Sequence, residues 1–164
     1  MDALTKVCTL LIERGFALVP PLTKQDVTAV YLMPRFQQDA KRLSNKDDFA
    51  SVLAKAKNLQ RDGLDRVKNL NFCTFPMKAR SGLFELRYNG TRLYGSRVYN
   101  SNTSEVVVMT GAEHKGGKIK ADPTLLDTCE KIHVDLMKEI ALIIESNDIE
   151  RQKTKKQFSR RKGR

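Results

Sequence analysis

The stretch Gly82–Lys118, GLFELRYNGTRLYGSRVYNSNTSEVVVMTGAEHKGGK, decides the fold. It reads as three consecutive β-strands. Leu83–Tyr88 and Arg92–Tyr99 flank Asn89-Gly90, a hairpin signal because both residues tolerate positive φ. Asn100–Ser104 is polar and turn-like. Glu105–Thr110 then holds Val106, Val107, Val108 and Met109, a run suited to a central strand. The block carries Arg87, Arg92 and Arg97 and ends on the pair His114 and Lys115. A hydrophobic sheet seldom accepts so many cations unless one of its faces meets an anion.

Helical patterns surround this block. Leu4, Val7, Cys8, Leu11 and Ile12 follow the i, i+3, i+4, i+7, i+8 spacing of a short amphipathic helix, closed by Gly15. Pro20 and Pro21 break the chain before a strand over Val27–Met33. Pro34 suits the first turn of a helix with Phe36, Ala40 and Leu43 on one face. Ser44 opens a further helix, striped by Phe49, Val52, Leu53, Ala56 and Leu59 and ended by Gly63. Leu64–Arg80 lacks a sustained period and reads as loop with at most a short strand. Asp122-Pro123 gives an N-cap and a proline at the first helical position of a last helix reaching Glu145.

Helices in one run followed by strands in another predict an α+β fold. The expected form is a twisted antiparallel sheet of about four strands with helices packed on one face. Three regions are expected: an N-terminal helical extension over 1–25, the α+β domain over 26–146, and a basic, disordered tail over 147–164.

Charge is distributed unevenly. The chain has 164 residues and a net charge of +11. From Arg151 to Arg164 it has eight Lys or Arg and no acid, leaving 22 basic against 19 acidic residues in the body. The tail reads either as a cationic arm that binds nucleic acid by releasing counterions, or as a solvated terminus. Cys8, Cys73 and Cys129 are odd in number and lack a CxxC pair, so neither a disulfide framework nor a zinc site is expected. No apolar run approaches the roughly 20 residues that span a bilayer. A cytoplasmic protein without cofactor, metal or membrane contact is the expectation.

Strand alternation nominates the site. If Leu86 and Val98 both face the helices, then Glu85, Arg87, Arg97 and Tyr99 converge on the uncovered face. His114 and Lys115 would join them from the Gly-rich loop after the third strand. That set suits RNA cleavage by its own 2′-hydroxyl, which needs a proton acceptor, a proton donor and cations on the phosphorane. Histidine serves as acid or base near neutral pH, and arginine grips phosphate with two donors. Tyr99 or Tyr94 would stack on a base. Loop residues Lys115, Lys118 and Lys120 would cradle phosphate. The plainer alternatives are a Glu85–Arg97 cross-strand ion pair, a solvated Arg92 and a surface His114. His133 receives no role.

The order VTAVYLMPRFQQDAKRL, FASVLAKAKNLQRDG, GLFELR, GSRVY and EVVVMTGAEHK, over roughly Val27–Met137, resembles the RelE/HigB-like toxins of bacterial and phage toxin–antitoxin modules. The resemblance implies metal-independent cleavage of mRNA, usually on the ribosome, and neutralisation by an antitoxin. It implies that Arg87 and Arg97 stabilise the scissile phosphate, that His114 or Lys115 is the acid or base, and that Lys78 and Arg80 add cations. The GTRLYG segment, the additions at both ends, and Glu85 where some relatives have lysine depart from the family. An endoribonuclease toxin that inhibits translation is therefore expected. The alternative is a non-catalytic nucleic-acid-binding regulator using the same basic face and tail.

Overall fold

A computed structural model describes residues 1–43, 46–115 and 120–163. Five helices and six strands occur among the described residues, in the order α1 (Ala3–Glu13), β1 (Ala17–Leu18), β2 (Thr28–Leu32), α2 (Pro34–Arg42), α3 (Lys46–Asp62), α4 (Leu64–Val67), β3 (Cys73–Thr74), β4 (Leu83–Tyr88), β5 (Thr91–Asn100), β6 (Glu105–His114) and α5 (Pro123–Lys162). Ser44, expected to open α3, lies outside the described residues. The strands form one sheet in the order β1-β2-β6-β5-β4-β3. β2 runs parallel to β6, and the remaining neighbours are antiparallel.

Local chemistry accounts for the elements. Asp2 accepts the Thr5 N–H at 2.8 Å and starts α1, which ends at Gly15 in the left-handed region (φ +82°). Asn89 and Gly90 both have positive φ, 48° and 84°, so the two-residue turn matches the right-handed twist of its strands. Asp122 caps α5 through the Thr124 N–H at 2.9 Å, with Pro123 at the position where a missing N–H costs nothing.

Both faces of the sheet are covered. Phe84, Leu86, Leu93, Val107 and Met109 pack against α2, α3 and α4 through Phe36, Val52, Leu59 and Leu64. On the opposite face Val98, Val106 and Val108 meet Val7 and Leu11 of α1 and Leu136 and Ile140 of α5. Leu83 and Tyr94 extend that second core onto Leu125, Leu126 and Cys129. Each fully buried leucine or phenylalanine contributes about 1.5–3 kcal/mol, so neither layer is dispensable. A Cβ at Gly111 would lie 2.8 Å from the Cys129 sulfur, and the bare backbone there lets α5 descend onto β6.

Several expectations are corrected. The sheet has six strands rather than about four, one pair is parallel, and helices lie on both faces rather than one. The expected loop 64–80 contains α4 and the short β3. α5 does not stop near residue 145. It runs 40 residues through the expected boundary at 146/147, roughly 60 Å at 1.5 Å per residue, and the basic tail is its exposed second half. Among the described residues no helix is long and apolar enough to cross a membrane.

Candidate nucleic-acid interface

The Asn89-Gly90 turn fixes the β4–β5 register, and the register decides where each arginine points. Tyr88 pairs with Thr91, Arg87 with Arg92, Leu86 with Leu93 and Glu85 with Tyr94. Paired residues share a face, so Arg87 lies with Glu85, Arg92 and Tyr94 on the α5 side. Arg97 has the parity of Leu93 and lies on the α3 side. The expected convergence of Glu85, Arg87, Arg97 and Tyr99 on an open face therefore does not occur. Anchoring the parity on Val98 as the core residue assumes a single core; with two cores, an apolar side chain marks neither face as the buried one.

On the α5 side, Glu85 is 4% exposed and holds two guanidinium groups. Arg87 Nη1 lies 3.5 Å from its Oε1 and Arg92 Nη1 3.4 Å from its Oε2. Glu85 thus pairs with Arg87 and Arg92, not with Arg97. Arg92, expected to be solvated, is partly buried in this cluster. Arg87 is half exposed and also donates to the Asn71 carbonyl at 3.4 Å, so one of its edges faces solvent. Glu113 closes the same end of the sheet by accepting the Tyr94 hydroxyl at 3.2 Å and the Asp122 N–H at 3.2 Å. Burial, then the neighbouring Glu113 and Glu85 carboxylates, push the Tyr94 phenol well above its ordinary range, so it stays neutral.

On the α3 side, Glu105 accepts the Thr28 hydroxyl at 2.6 Å, the Leu64 N–H at 2.9 Å and Arg97 Nη1 at 3.3 Å. Arg97 also reaches Asp65 at 3.2 Å and stacks 5.0 Å from the Phe75 ring centroid. Burial works to raise the Asp65 carboxyl, but Arg97 and Lys68 outweigh it and leave it below the usual range. Arg97 is a structural strut tying β5 to α4 and β6.

The other expected site residues fall as follows. His114 is the last residue of β6 rather than part of a loop, and its Nδ1 shares a 2.8 Å hydrogen bond with the Thr91 hydroxyl on the α3 side. Lys115 donates its backbone N–H to the Gly90 carbonyl at 2.8 Å, next to the hairpin turn. Arg80 is not a free cation: Asp127 at 2.5 Å and Glu130 at 2.6 Å, both on α5, hold it and raise its pKa further. Lys78 and Lys120 are exposed, and Lys118 lies outside the described residues. Tyr99 sits at a bulge and packs partly into the α1–α5 core.

Two groups carry no signal in the sequence. His133 on α5 hydrogen-bonds Ser96 through Nδ1 and packs against Gly82, where a Cβ would collide with its ring. Burial depresses its pKa, opposed by Glu130. Lys55 of α3 lies 4.9 Å from the Phe72 ring and 5.2 Å from the Tyr88 ring, a placement that requires the packing of α3 on the sheet. Burial raises the Cys73 thiol to about 11 and the Cys129 thiol as well, so neither is a ready thiolate nucleophile. Among the described residues no three His, Cys, Asp or Glu are grouped to hold a metal.

The second half of α5 is an exposed, strongly basic surface. After Asn147, which is buried, residues 148–162 are exposed on every side and extend roughly 22 Å.

The fold and this surface define a three-layer α/β/α domain carrying a basic helical arm. No protein-family model matches the chain, and no curated protein matches it. Among solved structures, the toxin–antitoxin complex RelBE2 from Mycobacterium tuberculosis aligns with 55% of this chain and 99% of the matched chain, at 19% identity and a TM-score of 0.34. A likeness that weak assigns neither a fold nor a function.

Proposed function

We propose that this protein binds nucleic acid, with the α5 arm supplying most of the affinity. One observation carries the reading: seven cations from Arg151 to Lys162 stand on a continuous exposed helix with no acid among them. Arg151 and Lys155, and Lys156 and Arg160, are like charges four residues apart, which weakens an isolated helix by about 0.2–0.5 kcal/mol per pair. A polyanion removes that repulsion and releases its own counterions. The cations of the last turn, Arg160, Arg161 and Lys162, also suit the negative end of the helix dipole.

A second reading rests on the Glu85–Arg87–Arg92 cluster. A phosphate that drew Arg87 outward would leave Glu85 free to accept a 2′-hydroxyl proton, with Arg92 held behind it. On this reading the protein is a ribonuclease toxin without Arg97 or His114 in its centre. Its substrate is mRNA, on or off the ribosome, and an antitoxin is its neutralising partner.

One experiment addresses both. Labelled RNA is titrated at several salt concentrations with the full chain and with a variant carrying Lys153, Lys155, Lys156, Arg160, Arg161 and Lys162 as Gln. The variant is expected to bind at least tenfold more weakly, and its salt dependence flattens by about 0.7 in the log–log slope for each phosphate that it no longer neutralises. Unchanged binding and slope would exclude the arm. Cleavage products that vanish in Arg87→Ala and persist in Arg97→Ala support the second reading; no product from wild-type protein, with or without ribosomes, removes it.

A further inference from the structure

The arm begins beside a groove that the sheet leaves open. β4 pairing ends at Leu83↔Ser96, so among the described residues no strand covers Arg97–Asn100 of β5 on that side. Between this bare edge, the chain around Phe75–Gly82 and α5 lies a cavity of about 430 Å³. Phe75, Arg97, Tyr99, His133, Met137 and Ile144 line it. It shares Tyr99, Asn100 and Ile144 with a second hollow of about 460 Å³ that reaches Arg151. A third, of about 610 Å³, shares Asp2, Asn147 and Arg151 with the second and reaches Lys155. The three make one trough along a single flank of α5. Ile144, Arg151, Lys155 and Lys162 recur at spacings that keep them on that flank.

We propose that this trough is a binding site for single-stranded nucleic acid, in which an unpaired base enters the groove at Tyr99 and its backbone continues toward Arg151 and Lys155. The proposal rests on the nucleic-acid reading of the arm and adds where and in what form the strand is held. The groove has planar surfaces on which a base can lie, the Arg97 guanidinium stacked on the Phe75 ring and the Tyr99 ring, with the apolar Met137 beside them. Every base has a π-face that such surfaces accept without regard to sequence. Asn100, exposed and shared by the first two hollows, places an amide where it can meet a base edge. In a duplex the bases are stacked on one another and paired, so they do not reach a recess of this kind. Arg151 lies two turns along α5 from Ile144, about 10 Å, so the cations begin where a base seated in the groove would hand over to its backbone. Of the acids along the trough, Asp2 is engaged as the cap of α1 and Glu150 is paired with Lys6 at 3.1 Å, which leaves Asp148.

The test uses the full chain, an RNA of eight nucleotides carrying one 2-aminopurine, and the duplex of the same length. Wild-type protein should bind the single strand at least tenfold more tightly than the duplex and quench the 2-aminopurine by stacking. Tyr99→Ala and, at the exposed rim, Met137→Glu should each remove the preference and the quench while duplex binding stays unchanged. Melting curves establish that both variants fold. Preference and quench that survive in both folded variants, or a wild type that binds strand and duplex equally, overturn the groove and leave the arm standing. Quench abolished by the groove variants but untouched by arm neutralisation keeps the groove and overturns the arm. Binding to neither RNA overturns both.

Discussion

Glu85 and Glu105 are both buried carboxylates that meet arginine on the same sheet, and their surroundings differ in kind. Glu105 is closed on every side: a threonine hydroxyl, the N–H that opens α4, and Arg97, itself shared with Asp65 and stacked on Phe75. Among the described residues, Glu85 holds only the two long guanidinium contacts at 3.4 and 3.5 Å, one of them from a half-exposed side chain. A fully satisfied carboxylate is a structural tie. One held by displaceable cations keeps the freedom to exchange partners. Cationic side chains in a sheet are therefore judged by what already neutralises them, not by their number.

The largest effect that would break this comparison is on stability. Glu105→Ala strands the buried face of Arg97, the Thr28 hydroxyl and the Leu64 N–H together, and should cost about 3–5 kcal/mol in denaturant unfolding. A loss under about 1 kcal/mol would show that Glu105 is no tie. Next in size, Arg97→Ala should cost about 1–3 kcal/mol, because Glu105 is left buried with one partner fewer. Arg87→Ala should cost about 1 kcal/mol, because Arg87 is half exposed and the buried Glu85 keeps Arg92, while weakening phosphate or RNA binding. Equal losses at the two positions would erase the distinction between the faces.

The smallest effect concerns pH. His133 lies on the α5 side beside Ser96, with a pKa depressed by burial from 6.5. Below about 6.5 the unfolded chain takes up a proton that the folded protein resists, so stability should fall as the pH drops through the window beneath that value. His133→Gln should flatten the slope between pH 7 and the folded-state pKa. An unchanged slope would place the acid sensitivity elsewhere, among the carboxylates.

Much of the fold is readable in particular residues. The apolar spacing from Leu4 to Ile12, the Pro34 start, the stripe ending at Leu59 and the Asn89-Gly90 turn each encode a local conformation. The side of the sheet on which Arg97 stands is legible too, though a single-core reading hides it. The two-residue turn alone places Arg87 opposite Arg92, and from there Arg97 alternates to the far face. The unbroken Val106–Met109 run is likewise the pattern of a strand covered on both sides, which conflicts with one open face. His114 belongs to a strand rather than a loop because β6 continues through the small residues Gly111 and Ala112. These have weak strand preference and are held there by pairing with β5. The helical state of 151–162 has no apolar stripe to announce it.

By itself, the sequence determined the hairpin register, the capped amphipathic helices and the concentration of positive charge after residue 150, because each depends on neighbours a few positions apart. Only the tertiary structure decided which arginines were free. Asp65 reaches Arg97 across 32 residues of chain and Asp127 reaches Arg80 across nearly fifty, pairings that exist only once α4 and α5 have packed on opposite faces of the sheet. Propensity and periodicity act within a turn or two of chain, whereas neutralisation of a buried charge depends on whichever distant segment the packing brings beside it.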